Sequence, residues 1–184
     1  MESIWDLLAS RPAFESLEGE LKTDVLIIGG GIAGLLCGYM LENAGIDCAI
    51  VEANEICGGV THNTTAKVTL QHGLIYDKIL TKYGAENAQL YFQAQNEALK
   101  TYKDLSTKIN CDFIECNSFV YSCNDRAKIE KEVSALNKIG CAAEFVEKPN
   151  LPFKTKGAVC VKNQAQFNPL MFISEISIEI YILL

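Results

Sequence analysis

The stretch that most constrains this chain lies between residues 23 and 53. Val25, Leu26, Ile27 and Ile28 form a short apolar run, the pattern of a strand buried in a parallel sheet. Gly29, Gly31 and Gly34 follow as G-x-G-x-x-G. Residues 35–43 then have helical spacing, with Leu36, Tyr39 and Met40 on one face, and Gly45 stops the helix. Residues 48–51 make a second apolar strand that ends at Glu52. Each motif glycine has a mechanical reason. Gly29 makes the tight strand-to-helix turn, Gly31 lets a pyrophosphate approach the backbone, and Gly34 lets helix and strand pack closely. The pyrophosphate sits on the helix N-terminus, where unpaired N–H groups and the helix dipole favour an anion. Ile32 and Ala33, inside the motif, and Ala53, next to the acid, complete the expected contacts. Glu52 stands 18 residues after Gly34 and is placed to accept hydrogen bonds from a ribose diol. It repels a 2′-phosphate, which disfavours NADP. The expectation is a dinucleotide site on a β-α-β unit; a glycine-rich turn in an ordinary α/β domain is the alternative.

Composition narrows the partners. With 184 residues the chain can bury a sizeable core. The net charge is −7 and no basic run exists, which argues against nucleic acid and anionic membrane surfaces. Glu2 and Asp6 stand where a signal peptide would be basic, and no apolar run is long enough to span a membrane. None of the eight cysteines forms a C-x-x-C pair. They read as small buried hydrophobes in a reducing cytoplasm rather than as a metal or disulfide set.

Beyond the glycine unit the chain reads in three regions: a leader (1–22), a β-α-β unit with its following loop and helices (23–112), and a partial α+β region with a divergent tail (113–184). In the leader, Ile4, Leu7 and Leu8 make one apolar turn that Pro12 ends, a peripheral segment. Residues 53–68 form a loop rich in glycine and threonine. Gly58 and Gly59 permit close approach to a ligand, and Thr61, Thr64 and Thr65 offer hydroxyls. Thr64 or Thr65 also reads as the cap of a short helix over 66–70. A helical patch over 75–83 is broken by Gly84. A long amphipathic helix follows over 85–109, with Ala88, Tyr91, Ala94, Ala98, Tyr102, Leu105 and Ile109 on its buried stripe. Residues 113–115 and 119–122 read as two strands joined at Asn117 and Ser118. Asn124 or Asp125 caps a helix over 126–138 with Ile129, Val133 and Leu136 inward. Strands follow at 143–146 and 157–161, and Asn168-Pro169 opens a last helix. Residues 171–184 become an isoleucine-rich run, an aggregation hazard if left unpaired.

Two separated signatures carry a family resemblance. The run GVTHNTTAKVTLQHGLIYDK over 59–78 and the run QAQFNP over 164–169 resemble the D-amino-acid-oxidase-like (DAO-type) FAD-dependent oxidoreductases. The likeness is strongest to the branch that carries a C-terminal Rieske domain. Ser3, Ile4 and Trp5 of the leader also match it. The resemblance implies a Rossmann-like FAD-binding βαβ domain, α/β in class, followed by the beginning of an α+β substrate domain. It implies FAD, with the adenosine half at Gly29, Gly31, Gly34 and Glu52. Gly58, Gly59, Thr61, Thr64, Thr65, Ala66 and Lys67 would then run along the pyrophosphate toward the flavin. Lys67 near the ring suits the negative charge that builds there on reduction; without the resemblance it reads as a surface lysine. Of the two histidines, His62 and His72, the second is the better site candidate. The C-x-H and C-x-x-H pairs of a Rieske centre are absent from these residues. The resemblance implies hydride transfer from an amine, amino acid or hydroxy compound. It also implies that this polypeptide is a truncated N-terminal part; an inactive fragment and an NAD-binding module are the alternatives.

Overall fold

The structure is a computed structural model that describes residues 3–178, 180, 182 and 183. It divides into two compact units whose segments interleave along the chain. The first comprises Met1–Ala66, Ser106–Asp112 and Phe167–Leu184; the second comprises Lys67–Leu105 and Phe113–Gln166. The linear regions 23–112 and 113–184 therefore each contribute to both units.

In the first unit, helix α1 (Ile4–Leu8) precedes strand β1 (Val25–Ile28), helix α2 (Ile32–Asn43) and strand β2 (Cys48–Val51). β1 and β2 pair in parallel, with Val25 opposite Cys48 and Ile28 opposite Val51. That is the expected β-α-β unit, with its strand bounds as read from the sequence. Ala49 and Ile50 of β2 and Leu35 of α2 are buried together with Phe172, Ile173 and Ile176. The last three belong to helix α5 (Pro169–Ile178). Asn168 caps α5 through Oδ1, which accepts from the N–H groups of Leu170 and Met171 at 3.1 and 3.2 Å. Pro169 stands at the first helical position, as expected. The isoleucine-rich tail is not left unpaired. Its first part completes α5, and strand β7 (Ile182–Leu183) adds in parallel to β2. Leu184 lies outside the described residues.

The leader differs from expectation in how it is held. Ile4, Leu7 and Leu8 are 62%, 70% and 59% exposed, so they form no apolar anchor. Ser3 caps α1, and the helix stops at Leu8, ahead of Pro12.

The second unit is an antiparallel sheet with two helices. Strand β6 (Ala158–Gln166) is its centre and pairs along its length with β4 (Ile114–Tyr121). β5 (Ala143–Val146) and β3 (Lys67–Val68) also pair with β6. Residues 114–121 are one strand, not two joined at a turn. Asn117 and Ser118 mark a register shift within it, an irregularity of the bulge kind that sequence cannot tell from a turn. Residues 67–68 are likewise extended, so Thr64 and Thr65 cap no helix; Thr64 Oγ1 instead accepts from the Ala66 N–H at 3.2 Å.

Helix α3 (Tyr76–Ser106) contains the expected break at Gly84, whose φ of 83° is costly for other residues. Of the expected stripe, Ala88 is buried and Tyr91, Tyr102, Leu105 and Ile109 are half-buried, but Ala94 and Ala98 are exposed, and Phe92 and Leu99 pack on the core beside Tyr91. Larger side chains release more free energy on burial, so they set the face. Helix α4 (Arg126–Lys138) matches the expected bounds, and Asp125 Oδ1 caps it at the Lys128 N–H, 3.1 Å. Ile129 and Leu136 are buried as expected.

Glu132 on the same face was not expected inward, yet it is 1% exposed. Its Oε1 accepts from the N–H groups of Ile75 and Tyr76 at 3.0 and 2.8 Å, and its Oε2 from Asp77 at 3.0 Å. These are donors that the start of α3 cannot satisfy itself. α4 thereby caps α3 with a buried carboxylate. Glu132→Ala leaves three N–H groups, one buried and two part-buried, without acceptors and is expected to cost about 3 kcal/mol in urea unfolding. An unchanged midpoint would show that water replaces the carboxylate.

Candidate cofactor site

The site is built on the turn between β1 and α2. Gly29 has φ of 112°, so the turn depends on a glycine there. A Cβ on Gly34 would lie 2.0 Å from the Gly29 carbonyl oxygen, so helix and strand can approach this closely only without one. Gly30, which the motif leaves free, is crowded by side chains rather than by backbone. A Cβ there would meet Ile56 Cδ1 at 2.3 Å and Glu52 Cβ at 3.1 Å. Its peptide groups are also used on both sides. Its N–H donates to Glu52 Oε2 at 2.8 Å, and its carbonyl accepts from the Cys57 N–H at 2.9 Å. The signal was present in the sequence as a third consecutive glycine.

Glu52 therefore bridges the end of β2 to the glycine turn, and its Oε1 accepts from the Asn54 N–H at 3.0 Å. The Gly30 N–H, then the Asn54 N–H, hold its pKa below the ordinary value of 4.5. The carboxylate is charged at neutral pH and retains acceptor capacity beyond these two bonds.

The loop after Glu52 folds back over the α2 N-terminus. A short 3-10 turn (Thr61–Asn63) places Thr61, 7% exposed, so that its Oγ1 accepts from the Ile32 N–H at 3.1 Å. The following N–H groups, Ala33 and Gly34, belong to the helix turn that lacks intrahelical acceptors. Gly31, Glu52, Gly59 and Thr61 line one open cleft of ≈ 600 Å³, with Asn54, Glu55 and Gly58. Cys57, with φ of 58°, is buried at the cleft, and desolvation pushes its thiol up to about 11. It is a neutral packing residue, not a nucleophile. Cys37, Cys116 and Cys123, by contrast, are exposed, and all eight cysteines are free.

The remaining expected residues distribute as follows. Ala53 follows Glu52 in the chain but does not line the cleft. Thr64 accepts through its carbonyl from Trp5 Nε1 at 2.9 Å, and Thr65 is exposed. Ala66 is buried at φ of 54°. Lys67 is exposed and opens β3 in the second unit, opposite Gln166. His62 Nδ1 lies 3.1 Å from the Cys57 carbonyl and Nε2 lies 3.1 Å from Asn63 Nδ2. A carbonyl only accepts, so Nδ1 carries the proton. His72 belongs to the second unit and pairs through Nε2 with Gln95 Oε1 at 3.2 Å. Among the described residues, no cluster of side chains could hold a metal ion, and no helix is long and apolar enough to cross a membrane.

A parallel β-α-β unit with a glycine turn, a helix N-terminus and a strand-end acid is an arrangement on which α/β proteins can bind nucleotides. The model of one family, the FAD dependent oxidoreductases (DAO), matches residues 24–177, and the chain belongs to that family. YhfW of Bacillus subtilis (strain 168), whose name describes a candidate Rieske 2Fe-2S iron–sulfur protein, is 36% identical over 176 residues. That similarity covers 94% of this chain and 35% of YhfW. Gamma-glutamylputrescine oxidoreductase of Escherichia coli (strain K12) is 25% identical over 131 residues, 69% of this chain and 30% of that enzyme. Among solved structures, L-proline dehydrogenase from P. horikoshii matches with a TM-score of 0.71 at 15% identity, over 88% of this chain and 44% of that one. The chain thus spans about a third of these curated relatives.

Two outcomes test the site's architecture. Gly34→Ala is expected to destabilise the chain by roughly 3 kcal/mol in urea unfolding, because backbone atoms must move to admit the methyl group. A native midpoint would show that α2 shifts freely. The lowered pKa of Glu52 gives a signed pH dependence. Its contribution is full above the unfolded carboxylate pKa and is lost as pH falls through the lower, folded value. Glu52→Gln should remove that part of the acid loss in a stability–pH profile, and an unchanged profile would discount the bonds to Gly30 and Asn54.

Proposed function

We propose that this chain is the FAD-binding portion of an oxidoreductase acting on an amine, an amino acid or a related hydroxy compound. The observation that carries the reading is Gly31. Its φ of −81° suits any residue, and a Cβ on it would make only an ordinary 3.4 Å contact with Thr61 Oγ1. The protein itself therefore does not require a glycine there, whereas a diphosphate laid on the α2 N-terminus does. The cleft beside it fits the rest of an adenosine diphosphate group: Glu52 to accept from ribose hydroxyls, and N–H groups at the helix start to meet the anion.

The residues divide the work by position. The N–H groups of Ala33 and Gly34 would face the diphosphate, and Thr61 would hold the loop against the helix end. Glu52 would orient the ribose, with Ala53 beside it. Gly58, Gly59, Thr64, Thr65 and Ala66 would continue the binding path toward the ring. Bound FAD would supply the hydride acceptor for cleavage of a C–H bond next to nitrogen or oxygen. The relatives support this substrate class: one acts on gamma-glutamylputrescine and a structural neighbour on L-proline, by their names. Eight cysteines without a C-x-x-C pair are compatible with a reducing, cytoplasmic setting.

Purified protein should be yellow, with a bound-flavin spectrum. Gly31→Ala should lower FAD affinity by at least about tenfold while changing stability by no more than about 1 kcal/mol. Glu52→Ala should weaken FAD retention. Colourless protein that binds NADH tightly would overturn the cofactor assignment, and full FAD affinity in Gly31→Ala would remove the argument from Gly31.

A further inference from the structure

The loop that walls the cleft lies far from the leader in sequence, yet the leader's polar side chains converge on it. Ser3 Oγ donates to the His62 carbonyl. Trp5 Nε1 donates to the Thr64 carbonyl at 2.9 Å. Arg11 donates to Glu55 at 2.5 Å and to Asp6 at 2.6 Å. Midway along the leader, the Ser10 carbonyl lies 3.1 Å from Ser174 Oγ of α5, a hydroxyl whose single hydrogen is shared with the Leu170 carbonyl at 2.8 Å. These bonds are unlike a segment laid passively on a surface. They take up backbone carbonyls on both sides of Asn63, where the chain leaves the 3-10 turn and no strand or helix ladder could satisfy them.

The cleft has a charge problem that the leader addresses. The charged side chains lining it are both acidic, Glu52 and Glu55. A diphosphate entering such a cleft meets like charges at short range. Arg11 pairs with Glu55, and its guanidinium lies 3.6 Å from where a Cβ on Gly58 would sit. Asp6, in turn, holds the guanidinium in place; the hydrogen bond from Arg11 keeps the Asp6 carboxyl below its ordinary range.

We infer that the leader is a clasp: Ser3 and Trp5 are positioning residues that hold loop 55–65 in its binding conformation, and Arg11 offsets the negative charge of the cleft. This rests on the FAD reading above, and the clasp itself can be tested without FAD. In amide hydrogen exchange on the whole apo chain, Ser3→Ala and Trp5→Phe should each speed exchange in residues 55–65 by about fivefold, the effect of one lost hydrogen bond. Exchange in β1 and β2 should not change. Trp5→Phe keeps an aromatic ring, so this response separates the lost donor from lost packing. In FAD titrations both variants should bind about fivefold more weakly. Arg11→Met should also weaken FAD, most at low salt, and Arg11→Lys should recover part of the loss because the charge is restored.

Unchanged exchange in 55–65 would overturn the clasp. Faster exchange with unaltered FAD affinity would overturn its link to the cofactor, and equal affinities in Arg11→Met and Arg11→Lys would overturn the charge role. A parent chain that binds no FAD would instead overturn the cofactor assignment, and the exchange pattern would still decide the clasp.

Discussion

The geometry of the first unit depends on how close three backbone segments come at the glycine turn. The β1–α2 turn, the end of β2 and the loop after it meet around Gly30, where a Cβ would press on Ile56 and Glu52. Closeness is what lets the Gly30 N–H reach Glu52 and its carbonyl reach the Cys57 N–H. Moving the loop outward by the width of a methyl group would break both bonds. It would also lift Thr61 from the Ile32 N–H. The cleft is therefore a consequence of backbone packing, and its polar groups are placed by hydrogen bonds already made within the protein. A ligand arriving there would meet groups held in position, which lowers the ordering cost of binding.

What could be read from the sequence follows the range of the forces involved. The β-α-β unit was legible because each of its signals is local: two apolar runs, glycines at fixed spacing, and an acid at the strand end. Helix α4 and the start of α5 were legible for the same reason, since Asp125 and Asn168 cap within three residues of themselves. Expectations failed where a partner distant in sequence decided the outcome. Asn117 and Ser118 look like a turn, but pairing with β6 carries the strand through them. Residues 66–70 look like a capped helix, but Lys67 and Val68 pair with β6 instead. In the middle of α3, Ala94 and Ala98 keep the helical period but are exposed, while Phe92 and Leu99 take the core. The leader read as a peripheral segment with one apolar turn, and the hydrogen bonds from Ser3 and Trp5 to remote carbonyls had no local signal.

The site was legible in part. The residues flanking the helix end, Gly31, Glu52 and Thr61, come together in one cleft. Gly30 and Arg11 escaped the reading, the first because the motif treats it as free, the second because its partner Glu55 lies 44 positions away. Lys67 and His72 were singled out by resemblance alone. Both belong to the second unit, so their relation to the cleft depends on how the units are disposed.

Glu52 and Glu132 show why a carboxylate's identity in sequence says little about its task. Each projects from one element and accepts backbone N–H groups at the start of another. Glu132 is 1% exposed and accepts three such bonds, all from the chain that it caps. Its role closes within the protein. Glu52 accepts two, lines an open cleft, and keeps lone pairs directed away from the backbone. The unspent acceptor capacity, at a place where a ligand can reach it, is what separates a binding carboxylate from a structural one. The pairing of Arg11 with Glu55 extends the logic to the second acid of the cleft. Arg11 engages Glu55, while among the described residues no cationic side chain pairs with Glu52, which leaves that carboxylate available to a ribose.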